Sequence, residues 1–311
     1  MNLQVFDAHQ DLLWYEQNKK KGEVLQTGFQ VINDSAVKLV VASVFIDSEN
    51  KTNEELIEMV RAELNDYQRL AKENKMIIVK GKKDLSTLLE SERHGLLLHI
   101  EGLDFLTPDN ENCLTEFYEL GLRSVGLVWG KRNAIMASAN DEGGLSDFGR
   151  KLIKKINKLG IIIDLAHANE ASFYDVMTIS EKPVMVSHGN ADNICPGARN
   201  FKDEQISLLD KKRGVIGIFF SKKYLTTNSR ASLEDAFGQA EYLYKLAPNA
   251  VMIGSDFGGI TTGTPVDLGG IDKYPDLFDK IEEKLGTRAK DKIAYENFKT
   301  FLEKHFYESS D

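Results

Sequence analysis

Residues 144–167 read GLSDFGRKLIKKINKLGIIIDLAH. Ser146 is placed to cap a helix over residues 146–159, because its hydroxyl can satisfy a free N–H of the first turn. Gly160 is placed to end that helix, since glycine accepts the left-handed turn that closes many helices. An apolar run, residues 161–166, follows at once and has the length of a buried parallel strand. His167 stands at its tip. Helix, turn, strand and a polar tip therefore occupy 24 consecutive residues.

Working outward, the same kind of apolar run recurs seven more times. Residues 3–8 (LQVFDA) lead to His9 and Asp11, residues 95–100 (GLLLHI) to Glu101, and residues 183–187 (PVMVS) to His188. Residues 38–45, 124–129, 214–219 and 251–255 complete the set, the last followed by Asp256. A weaker run at 76–79 reads as an accessory strand. Between the runs lie segments of helical spacing. Over residues 54–74, Leu56, Met59, Val60, Leu64, Tyr67 and Leu70 recur at three and four. Residues 231–246 and 291–306 are similar. Eight strand–helix repeats predict an α/β fold of the TIM-like (β/α)8 type, one domain over residues 1–311. A doubly wound sheet is the alternative, but no Gly-rich fingerprint follows the first strand.

The chain is 42% hydrophobic and 28% charged, and its 39 basic against 48 acidic residues give a net charge of −9. That acidic balance argues against nucleic acid or an anionic membrane as partner. No run approaches the length of a membrane span, and no signal segment is evident, so a cytoplasmic location is expected. Cys113 and Cys195 lack CxxC spacing and read as free thiols.

The polar tips carry the chemistry. His9 and Asp11, two apart, point to one face if the strand continues, so both can reach one ion. Imidazole and carboxylate together suit zinc and similar divalent metals. Glu101 has two oxygens with which to bridge two cations. His167 and His188 end successive strands, and Asp164 is placed to orient a ligand imidazole. Asp256 is placed to move protons during hydrolysis. His99, inside a strand, reads as structural. His94 and His305 read as exposed.

At these residues the chain resembles the membrane (renal) dipeptidase family of binuclear zinc peptidases, in its bacterial, cytoplasmic form. The shared stretches are FDAHQD, HIEG, GLSDFG through DLAH, PVMVSH, ARNFKDEQI, GSDFGG, KYPDLF and ENFKTF, in family order along nearly the whole chain. The resemblance implies two zinc ions: one held by His9 and Asp11, the other by His167 and His188, with Glu101 bridging. It gives Arg199 the substrate's terminal carboxylate, which a guanidinium can grip through two parallel hydrogen bonds. It gives Asp256 the proton of the cleaved peptide. The expected reaction is hydrolysis of a dipeptide, L,D pairs included, by a water or hydroxide held between the ions. Trp129 stands where mammalian-type members carry a histidine that contacts substrate, and related bacterial sequences share the tryptophan. Trp129 and Asn133 are accordingly expected to bind substrate. Gly258 departs from an acid found in many members. Family members often form homodimers, which leaves that assembly open here. Three other readings remain at this stage. One is an N-acyl amino acid amidase, lactonase or deaminase on the same metals. Another is a metal-binding scaffold silenced at Trp129. The last is a Cys195 nucleophile.

Overall fold

The computed structural model describes residues 3–19, 25–261 and 263–307. Nine strands occur among them: β1 (Val5–Gln10), β2 (Val37–Val44), β3 (Ile77–Ile78), β4 (Gly95–Ile100), β5 (Leu122–Gly126), β6 (Ile162–Asp164), β7 (Met185–Val186), β8 (Val215–Ile218) and β9 (Val251–Ile253). Strands and helices alternate along the chain, and the fold is the TIM-like (β/α)8 barrel, with β3 as a short accessory strand. Every residue of β1, β2, β4 and β5 is buried. This is why the runs read as continuously apolar: parallel strands are covered on both faces and need no alternation.

The chain divides into two compact units, residues 1–41 with 186–302, and residues 42–185 with 303–311. In the first, β1 pairs in parallel with β9 (Asp7 opposite Ile253), and β9 with β8. Helix Leu233–Leu246 starts on a capping box in which Ser232 and Asp235 satisfy each other's backbone N–H. In the second unit β3, β4, β5, β6 and β7 follow one another in parallel register. Helix Asn53–Glu73 begins on a Thr52–Glu55 capping box and buries Leu56, Val60, Leu64 and Tyr67. Helix Asp147–Leu159 has the expected ends: Ser146 Oγ accepts the Gly149 N–H, and Gly160 takes the left-handed conformation at φ 72°.

Three expectations shift. The strand expected over 124–129 is Leu122–Gly126, so Trp129 lies beyond the strand end rather than on it. Leu127 and Val128 are buried without strand pairing, and apolarity reports burial rather than pairing. The last helix is Asn297–Tyr307, preceded by a π-helical turn at Lys292–Glu296 and a short helix Thr287–Asp291. His305, expected at the surface, is buried: its Nε2–H donates to the Gly160 carbonyl at 3.0 Å, and burial pushes its pKa down to about 4. No helix among the described residues is long and apolar enough to cross a membrane.

Candidate metal and substrate site

In the first unit, β1 ends in the sequence His9–Gln10–Asp11. His9 is fully buried, and its Nε2 lies 3.6 Å from Asp11 Oδ2 and 3.7 Å from Asp256 Oδ1. One donor atom from each of these residues falls within 4.8 Å of the others. The rings of His9 and His188 are 4.4 Å apart, and Ser187 Oγ lies 2.9 Å from His188 Nδ1. Two carboxylates and imidazoles gathered this closely suit a divalent cation, because without one the carboxylates repel.

Two glycines admit this crowding. A Cβ at Gly259 would press on the carboxylates of Asp11 and Asp256. Gly258 has φ 94°, and a Cβ there would lie 2.7 Å from the Asp11 carbonyl oxygen. The acid expected at this position from the resemblance would not fit: this backbone requires glycine. Asp256 itself has φ 62°, a left-handed conformation unusual for a side-chain-bearing residue.

Arg199 is buried, with its guanidinium 5.9 Å from the ring centres of both Phe219 and Tyr224, which stack on each other. The aromatic faces hold the cation in a low-dielectric setting suited to an anionic ligand group. Cys195 is buried nearby in sequence; burial raises its pKa, away from the thiolate a nucleophile needs.

In the second unit, Glu101 follows β4 directly, and its Oε1 lies 2.9 Å from His167 Nε2. His167 has φ 67°, and Asp164 Oδ1 accepts the Ala166 N–H within the turn that presents it. Asp164 Oδ2 also lies 3.6 Å from Nε2 of His99, whose Nδ1 is 3.0 Å from Ser124 Oγ. His99 is thus built into the structure, as its position inside a strand suggested.

Trp129 is 38% exposed, with its ring 4.8 Å from Phe45 and 5.9 Å from His167. Its loop hangs on Asn133. The Asn133 amide donates to Asp104 Oδ1 and to the Leu127 carbonyl, and its oxygen accepts from Ile135 and Met136 N–H. Asn133 is therefore engaged on both ends within the loop. Burial raises the Asp104 pKa to about 6 against the pull of Asn133 and the Trp129 N–H, with Glu101 adding to the rise.

Sequence reasoning passed over two contributors. Asp7, within β1, is a fully buried carboxylate that accepts hydrogen bonds from His9, Gln10, Ser255 and Tyr274. Asp104 is the other. An aspartate inside FDAHQD could have been noticed as an acid in a strand with no alternation, hence buried.

Residues 1–305 match the membrane dipeptidase family, peptidase family M19. The chain belongs to that family. It is 30% identical over 229 residues to a Klebsiella pneumoniae protein of the pqqA 5′ region, covering 69% of this chain and 83% of that one. It is 32% identical over 195 residues to dipeptidase aclJ of Aspergillus oryzae, covering 60% of this chain and 46% of the relative. A metallopeptidase from Rhodobacter sphaeroides, solved with a phosphinate mimic of the dipeptide L-Ala-D-Ala, shares the fold. Its TM-score is 0.88 at 20% identity, over 97% of this chain and 99% of that one. Family membership makes the chain a metal-dependent dipeptidase, and the amidase and scaffold readings are not favoured. Divalent metal use follows with it.

Proposed function

We propose that the chain works as one catalytic domain with two zinc ions and cleaves small dipeptides, L,D pairs included. His9 and Asp11 would hold one ion and His167 and His188 the other, with the Glu101 carboxylate serving both. The observation that carries this reading is the meeting of His9, Asp11 and Asp256 donor atoms within 4.8 Å. The Glu101–His167 approach of 2.9 Å supports the second ion. The unit boundaries fall inside β2, β7 and helix Asn297–Tyr307 rather than in a linker, which supports treating the chain as one domain.

Bound ions of this kind lower the pKa of water toward neutrality and polarise a carbonyl as Lewis acids. The protein's own groups do the rest. Arg199, steadied on Phe219 and Tyr224, pairs with the substrate's terminal carboxylate and so fixes the scissile bond. Asp256 carries a proton to the departing amine. Trp129, over a third exposed, offers its indole to the substrate and can donate one N–H. Asn133 shapes the loop that presents it.

The test couples metal analysis to a dipeptide panel. Two divalent ions per chain and turnover of free dipeptides are expected. Amidating the substrate's C-terminus should abolish turnover if Arg199 is the clamp. Asp256→Asn should keep both ions and lose about 10²–10⁴-fold in kcat. A chain carrying two ions yet inert on every dipeptide would sink the proposal.

A further inference from the structure

We propose that Asp7 is a positioning residue of the hydrolytic centre: it holds the His9–Asp11 pair and Asp256 in one frame. The inference rests on the reading of those three residues given above. Asp7 is fully buried on β1, opposite Ile253 of β9. Its Oδ1 accepts the N–H of His9 at 3.3 Å and of Ser255 at 3.0 Å. Its Oδ2 accepts Gln10 Nε2–H and Ser255 Oγ–H, each at 2.6 Å, and the Tyr274 hydroxyl. A carboxylate offers about four lone-pair sites, so five donors leave none to spare. Asp7 therefore acts as an acceptor hub and neither binds a cation nor moves a proton.

The donors show what the hub fixes. His9 and Ser255 contribute backbone N–H groups from the two segments that carry the chemistry. The Asp256 N–H donates to the His9 carbonyl and the Asp11 N–H to the Phe257 carbonyl, continuing the lacing toward the strand tips. Ser255 Oγ accepts the Phe257 N–H as it donates to Asp7. Gln10, held by Asp7, in turn accepts from Thr27 Oγ1–H. One carboxylate thus sets the spacing between two ligand residues and the proton carrier. Such spacings matter at the level of about 0.5 Å.

Asp7→Asn tests this, because the side-chain shape is kept while an NH₂ donor is turned toward donors. At saturating metal and dipeptide, kcat should fall about 10–100-fold with KM little changed. Metal affinity, read by chelator competition, should fall by a similar factor, as for other groups that orient ligands. Tyr274→Phe, which removes one donor of the five, should move both quantities in the same direction by less. A folded Asp7→Asn protein with wild-type kcat and metal affinity would overturn the proposal. So would a loss confined to melting temperature, since that is all a purely structural role predicts. If Asp7→Asn does not fold, Tyr274→Phe and Ser255→Ala decide the matter by the same two readouts. If the wild type cleaves no dipeptide, the functional reading fails, while the metal-affinity series still judges Asp7.

Discussion

The groups around His9 and those around Trp129 are held in different ways. Asp11 and Asp256 stand where β1 and β9 end, laced by backbone hydrogen bonds and crowded against Gly258 and Gly259. Trp129 and Asn133 belong to a loop beyond β5, ordered by one asparagine side chain and one partly buried aspartate. The first arrangement tolerates almost no displacement; the second carries an indole that is over a third exposed. Groups that hold ions and move protons need fixed distances, whereas groups that cover a substrate need shape and can be varied with the loop.

The sharpest way to break this contrast is to add one methyl group. Gly259→Ala would drive a Cβ into the Asp11 and Asp256 carboxylates, the latter 2.7 Å away. Turnover should fall about 100-fold or more, with the metal content reduced, as ligand-orienting changes do. Wild-type activity in that variant would show that the β1–β9 tips are softer than they look.

Acid titration probes the second unit, where two groups oppose each other. The His305 pKa is depressed to about 4, so its unfolded state binds more protons between about pH 4 and 6.5. Stability from this group is present above about pH 6.5 and lost as pH falls, by about 3 kcal/mol in all. The Asp104 pKa is raised to about 6, so its folded state binds more protons between about pH 4 and 6. Stability from Asp104 is therefore present at low pH and lost as pH rises, by about 3 kcal/mol. Denaturant unfolding from pH 4 to 7 should show His305→Gln gaining on wild type toward pH 4. Asp104→Asn should gain on wild type toward pH 7. Parallel curves for all three proteins would refute both assignments.

The mildest change should come from Trp129→Ala. Losing its contact with Phe45 should cost about 1 kcal/mol or less, while KM for dipeptides rises about tenfold and metal content stays unchanged. A large loss of metal would mean that the loop supports the ions as well as the substrate.

Much of this was legible in the sequence because burial on both strand faces writes itself as apolar runs. The ends of helix Asp147–Leu159 were equally legible, since Ser146 and Gly160 act locally. Trp129 was misplaced onto a strand because Leu127 and Val128 stay buried after pairing stops. Asp7 and Arg199 show the deeper limit. The donors that define Asp7 include Ser255 and Tyr274, 248 and 267 residues away, and the rings beneath Arg199 come from Phe219 and Tyr224. Partners so distant leave no mark on spacing. His305 failed for the same reason, its partner being Gly160.

His167 and Asp256 both hold left-handed backbone conformations, at φ 67° and 62°. Each costs roughly 1–2 kcal/mol that glycine would not. Glycine would relieve the strain and delete the imidazole or carboxylate in the same stroke. On the roles proposed for His167 and Asp256, the most stable sequence and the working sequence differ at these two positions. Selection for heat resistance alone would therefore drift toward a firmer, silent protein, and any thermostable variant that still works must have gained its stability elsewhere in the chain.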